Sequence, residues 1–341
     1  KLLILDEPTT ALDVTTQIEV LHAFKKLIKD NNTAAIYVTH DLSLVAQIAD
    51  HILVLKDGKQ IEYGTTDQII NNPKEDYTKA LIDAAHVMPD EITSPALQIS
   101  KNPPLLEVKN VTAGYGKKQE ITAIKSANLS IEPGETVGVI GESGSGKTTL
   151  GRVISGLMAP KHGQVFLNGQ VLQSNLSKRS REELRDIQFA FQMADVALNP
   201  RQKIGKILGR PMQFYRKISN KEMEYEVEKL LTRVDLPTEF IRRFPTELSG
   251  GQRQRVNLAR ALAAEPKLII CDEITSALDT IVAQQILDLL ASLQEELGLS
   301  YLFITHNIAT VAQISKKIAV MRNGQIIQSG SVEDVLTPPC H

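Results

Sequence analysis

The sequence predicts an α/β protein with a parallel sheet, made of a partial first domain and one nearly complete second domain. Three observations predict it: apolar runs that alternate with helical stretches, a repeat that pairs the start of the chain with its end, and a glycine-rich turn between a strand and a helix. LLILDE, AIYVTH and HILVLKDG are short runs rich in Val, Ile and Leu, and Thr15 to Asp30 between the first two reads as a helix. LIICDE, Gln284 to Leu297, YLFITH and KIAVMRNG give the same order near the carboxyl end. Strands that alternate with helices imply parallel pairing.

The repeat sets the domain plan. Sliding the chain on itself by 266 residues aligns Lys1 to Pro73 with Lys267 to Pro339 without a gap, and 23 of the 73 positions are identical. LDEPTTALD meets CDEITSALD, and IYVTHDLSLVAQI meets LFITHNIATVAQI. Residues 1–86 are therefore read as the carboxyl-terminal half of a first domain. The chain enters at Lys1 straight into a buried-strand pattern, which is read as a missing amino-terminal part. Asn71 to Ala85 is expected to be helical. Residues 87–104, with prolines at positions 89, 95, 103 and 104, are expected to be a linker. Residues 105–341 form the second domain, opening with LLEVKNVTAGYG and strands that run to ETVGVIG.

Composition narrows the class. With 42% apolar and 23% charged residues the chain is ordinary globular material, which excludes disordered, collagen-like and coiled-coil readings. Its 38 basic and 40 acidic residues leave a net charge of −2, so no global field draws it to nucleic acid. No apolar run reaches the roughly 18 residues a bilayer span needs, so a membrane role is expected to be peripheral. Cys271 and Cys340 have neither metal-ligand nor disulfide-framework spacing, which points to a reducing compartment. The cluster from Lys178 to Arg185 reads as an exposed basic helix face.

ETVGVIGESGSGKTTLGRVISGL holds G-x-x-x-x-G-K-T at Gly141 to Thr148, after an apolar strand and before a helix. In that context Gly141, Ser143, Gly144, Ser145, Gly146 and Thr149 belong to a loop whose backbone N–H groups converge on phosphate oxygens. Lys147 would reach the β and γ phosphates and Thr148 would offer its hydroxyl to Mg²⁺. LIICDE ends in two carboxylates: at a strand's carboxyl edge Asp272 can hold Mg²⁺ and Glu273 can polarise water. Asp6 and Glu7 repeat this pair in the first copy. In FPTELSGGQRQRVNLARALAAEP, Ser249, Gly250 and Gly251 open a helix expected from about Gly251 to Ala264, a second anion site without a lysine of its own.

LSGGQ, set between a phosphate loop and LIICDE, resembles the signature of ATP-binding cassette (ABC) ATPases, so the implied fold is the P-loop NTPase fold of that family. The resemblance implies ATP and Mg²⁺ as cofactors. It also implies roles in order: Tyr115 stacks on adenine, Gln192 senses Mg²⁺ and the transport partner, and Ser249, Gly250 and Gln252 close over ATP held by an opposing domain. Glu273 would be the catalytic base, Ser276 to Asp279 a coupling loop, and His306 the switch that meets the γ phosphate. Asp6, Glu7, Asp13 and His40 carry over likewise, while Ile274 departs from Pro8 of the first copy. ALNPR after Gln192 and NNPKEDYTKAL at the end of the first copy are similar to the dipeptide, oligopeptide and nickel importer subfamily. Implied partners are separate transmembrane permease subunits, a substrate-binding protein and a second ATPase unit, at the cytoplasmic face of the membrane. Two other readings keep the same catalytic residues. One is an ABC ATPase of another transporter, for export, sugars or metals, against which ALNPR and YTKAL argue. The other is a soluble tandem ABC ATPase acting on ribosomes or DNA, against which the short proline-rich linker argues.

Overall fold

Parallel pairing is realised most fully around the second copy of the repeat. The computed structural model describes residues 2–9, 14–39, 41–85, 103–116 and 120–336. Asp13, His40, Cys340 and nearly all of the expected linker lie outside the described residues. The chain divides into two compact units, one carrying the first four strands and the other the remaining ten.

In the first unit β1 (Leu2–Asp6), α1 (Val14–Asp30) and β2 (Ala34–Val38) are followed by α2 (Leu42–Ile48), β3 (His51–Lys56), β4 (Lys59–Thr65), α3 (Thr66–Asn71) and α4 (Asp76–Ala85). β1 and β2 pair in parallel, and β3 and β4 form an antiparallel hairpin. Ile52, Val54 and Ile69 make a small core, closed by Tyr77 and Leu81 of α4. The helix expected over Asn71 to Ala85 is realised over Asp76–Ala85, and a separate helix, α3, ends at Asn71. Pro73 has no N–H to donate, and Asn72 before it has left the helical region at φ −139° and ψ 55°. α3 starts at Thr66 because Thr65 and Gln68 form a capping box. The Glu62 carboxylate then accepts the N–H groups of Lys74 and Glu75, at 3.0 and 3.2 Å, which anchors the chain where α4 begins.

The second unit opens with β5 (Leu106–Tyr115), β6 (Ile121–Ile131), β7 (Thr136–Ile140), α5 (Lys147–Ser155), β8 (His162–Leu167) and β9 (Gln170–Val171). It continues through α6 (Arg181–Asp186), β10 (Ile187–Ala190), α7 (Ala194–Ala197), α8 (Ile204–Pro211), α9 (Met223–Arg233), α10 (Gly250–Leu262) and β11 (Leu268–Asp272). α11 (Thr280–Leu297), β12 (Ser300–Ile304), α12 (Ile308–Ile314), β13 (Lys317–Arg322), β14 (Gln325–Ser331) and α13 (Val332–Leu336) complete it. Two sheets result. One runs β10-β11-β12-β7-β13-β14, parallel except for the last pair, and the other is an antiparallel β6-β5-β8-β9 sheet. The strand–helix alternation foretold the first but not the second, which is built of two pairs of consecutive strands, β5 with β6 and β8 with β9, each joined with no helix between.

α5 packs against both sheets. Leu150 and Ile154 join Leu106, Ile124 and Ile131 of one sheet and Val139, Ile270 and Ile304 of the other in a continuous core. Every residue of β7, β11 and β12 is buried, which is why these strands read as uninterrupted apolar runs. Cys271 belongs to that core, and burial holds its thiol far above the usual range. The basic cluster also differs from expectation. Arg179 turns inward, 7% exposed, donating to the carbonyls of Gln173 and of Ile154 at the end of α5. A guanidinium satisfies those orphan carbonyls better than solvent can reach them. Among the described residues no helix is long and apolar enough to cross a membrane.

Candidate functional site

The loop from β7 into α5 is shaped by two glycines. At Gly141 (φ 151°) a Cβ would lie 2.1 Å from the Met321 carbonyl oxygen, and at Gly146 (φ 107°) 2.6 Å from that of Ala123. The chain passes so close to β13 and β6 that no other residue fits. Gly146 caps α5 without a side chain, so the first N–H groups of the helix face the loop. Lys147, 6% exposed, folds over it and donates to the carbonyls of Gly141 and Glu142 at 2.7 and 3.0 Å. Ser143 and Gly144 form the exposed crest, while the Ser145 hydroxyl is buried with no hydrogen-bond partner among the described residues. A buried hydroxyl left without such a bond, beside a helix start that no side chain caps, fits an anion.

The ends of two neighbouring parallel strands bring the remaining chemistry. β11 delivers Asp272, whose Oδ1 accepts a 3.0 Å bond from the Thr148 hydroxyl. Burial pushes the Asp272 carboxyl up to about 6, against the bond from Thr148 that pulls it down. Glu273 follows with φ 48°, in the left-handed region that an L residue adopts only under constraint. Its N–H bonds to the Ile304 carbonyl at 2.8 Å, which pins the turn and directs the side chain across the strand ends. There Oε1 lies 3.4 Å from His306 Nδ1, and Oε2 accepts from Gln192 Nε2 at 2.9 Å. The His306 contact holds the Glu273 carboxyl below its ordinary value, over the opposing effect of burial. Glu273 is thereby kept as an acceptor.

The donors beside the phosphate loop are oxygens. Thr148, Asp272 and the Gln192 amide suit a small hard cation that keeps part of its water shell, and among the described residues no cluster of three His, Cys, Asp or Glu side chains offers a softer site. Ser249, Gly250, Gly251 and Gln252 form a separate exposed group at the start of α10. There Ser249 Oγ accepts the Gln252 N–H and the Gln252 side chain accepts the Ser249 N–H. Tyr115 ends β5, 40% exposed, with its hydroxyl 2.8 Å from that of Thr149. In the first unit Asp6 and Glu7 end β1, both exposed. Sequence reasoning missed Asn257, fully buried in α10, whose amide donates to the Phe191 carbonyl and so holds the turn that presents Gln192. A lone amide in the apolar run VNLARAL was the available signal.

A phosphate loop after β7 and an acid pair at the end of β11, one strand apart in the same parallel sheet, define a P-loop nucleotide-binding protein. The family model described as ABC transporter matches residues 124–276, and the chain belongs to the ABC ATPase family. It is 38% identical over 99% of its length to the glutathione import ATP-binding protein GsiA of Escherichia coli K12, and equally to that of Shigella flexneri. It spans 59% of the length of these relatives. Among solved structures it is similar to the ATP-binding cassette MJ0796 in a dimeric post-hydrolysis state bound to ADP and Pi. That likeness has TM-score 0.59 and 34% identity, and covers 67% of this chain and 98% of that one. The cassette cbiO1 of Clostridium perfringens, part of the transporter complex cbiONQ, matches with TM-score 0.60 and 27% identity over 68% of this chain and 90% of that one.

Proposed function

We propose that this chain binds and hydrolyses ATP to drive an importer of peptide-type substrates, glutathione-like tripeptides among them. The observation that carries the reading is Glu273, held ionised beside His306 and Gln192 at the strand end next to the phosphate loop. In this reading Tyr115 receives adenine, and the N–H groups of Gly141 to Thr149 together with Lys147 receive the phosphates. Glu273 accepts a proton from the attacking water and His306 steadies that carboxylate. Mg²⁺, held by Thr148, Asp272 and Gln192, would neutralise charge on the phosphates. The acceptor-only state of Glu273 and the oxygen-only donor set support these assignments.

Residues 1–86 are proposed as the carboxyl half of a first cassette, joined through residues 87–104 to a second cassette over 105–341. The repeat supports this, as does the exposure of Leu2 and Ile4 in a strand whose counterpart is buried. Within this sequence the phosphate loop and the LSGGQ segment both lie in the second unit, and turnover is proposed to need a second ATPase unit facing it. Permease subunits, a substrate-binding protein and a position at the cytoplasmic face of the membrane complete the proposal, supported by the likeness to glutathione import ATP-binding proteins.

The test is Glu273→Gln. Nucleotide binding is expected to persist while phosphate release falls about 100-fold or more. Unchanged release in the variant would remove Glu273 from the role of base.

A further inference from the structure

The bond between Tyr115 and Thr149 has a use that stacking alone does not require. Tyr115 leaves β5 between two glycines. At Gly114 a Cβ would lie 2.1 Å from the Ile121 carbonyl oxygen, and Gly116 sits at φ 94°. The backbone carrying the ring is thus fixed by the close approach of β5 and β6, leaving the side-chain torsions as the ring's remaining freedom. The phenol then reaches the first turn of α5, where its hydroxyl meets Thr149 Oγ1 at 2.8 Å. Thr149 is 4% exposed, so its hydroxyl has little access to water, and it is β-branched, so its χ1 is restricted in a helix. Tyr115 is 40% exposed.

We infer that Thr149 is a positioning residue for Tyr115: the hydroxyl pair latches the aromatic ring to the phosphate-loop helix, setting it for a nucleobase before nucleotide arrives. This rests on the proposal that the site binds ATP with its base at Tyr115. A ring already held in place loses less rotamer freedom when a base stacks on it, so the latch strengthens binding of the base and not of the phosphates.

The experiment compares two probes on the full chain, ATP and inorganic tripolyphosphate, by equilibrium titration with Tyr115→Phe, Thr149→Val, their double variant and Tyr115→Ala. The latch predicts that Tyr115→Phe and Thr149→Val each weaken ATP about three- to tenfold, that the double variant is no worse than either, and that tripolyphosphate affinity stays within about twofold throughout. In turnover the same variants raise KM and keep kcat. Equal weakening of both probes by Thr149→Val would mean that the residue serves the loop's structure, overturning the latch. Loss of ATP affinity in Tyr115→Ala with none in Tyr115→Phe and Thr149→Val would also overturn it, while leaving the site reading in place. No loss in Tyr115→Ala would overturn the placement of the base at Tyr115, and the latch with it.

Discussion

β1 and β11 are the same strand written twice, and they live in different surroundings. LLILD and LIICD both pair in parallel with the strand that follows in sequence. Each is followed by a glutamate in the left-handed region, φ 44° at Glu7 and 48° at Glu273, and each glutamate N–H bonds to the last carbonyl of the neighbouring strand, Val38 or Ile304. Yet Leu2 and Ile4 are 59% and 64% exposed, whereas Leu268 and Ile270 are fully buried. β11 lies between β10 and β12 under α5, while among the described residues β1 pairs with β2 alone. The comparison teaches that the backbone of an acidic turn is set locally by the strand pair, whereas burial, and with it the raised pKa of Asp272, is set by what covers the pair.

The largest effect should come from the covered copy. Lys147→Ala removes the cation folded over the phosphate loop, and ATP affinity measured by calorimetry is expected to fall about 100-fold. An intact affinity would mean that the second copy owes its binding to something other than this loop.

Next, Ile270→Ala and Ile4→Ala test burial directly. The first should cost about 2–4 kcal/mol in urea unfolding and the second under about 1 kcal/mol. Similar costs would mean that β1 is covered in solution, erasing the contrast.

A smaller effect concerns charge. The Asp272 carboxyl is raised by burial from 3.8 to about 6, so the folded state holds its proton more tightly than the unfolded chain does. Stability from this group is therefore full below about pH 4 and is lost as pH rises through about 6, amounting to about 2–3 kcal/mol at pH 7.5. Asp272→Asn is expected to raise Tm without Mg²⁺ or nucleotide at pH 7.5, with the gain vanishing near pH 4. A pH-independent gain would point to packing and not to charge.

The smallest effect tests the turn that the two copies share. Glu7→Gly relieves the left-handed backbone and should stabilise by about 0.5–1 kcal/mol in thermal unfolding. Glu273→Gly forfeits the contacts with His306 and Gln192, so its net gain should fall below the backbone relief alone.

Much of this could be read from the chain. G-x-x-x-x-G-K-T marks its position because its glycines answer a steric demand: Gly141 and Gly146 stand where carbonyl oxygens leave no room for a Cβ. Pro73 announced a break that the helical pattern around it concealed. Arg179 read as surface because charge clusters usually are, and only the fold shows two carbonyls waiting for its guanidinium.

The sequence by itself determined the repeat, the parallel strands, the phosphate loop and the acid pair, since each follows from local periodicity or from residue types that tolerate special backbone. The tertiary structure alone decided that Thr148 meets Asp272 across 124 residues, that His306 and Gln192 converge on Glu273, and that Tyr115 bonds to Thr149. Contacts between distant segments depend on sheet order and on what each strand is buried against, and neither leaves a periodic mark in the chain.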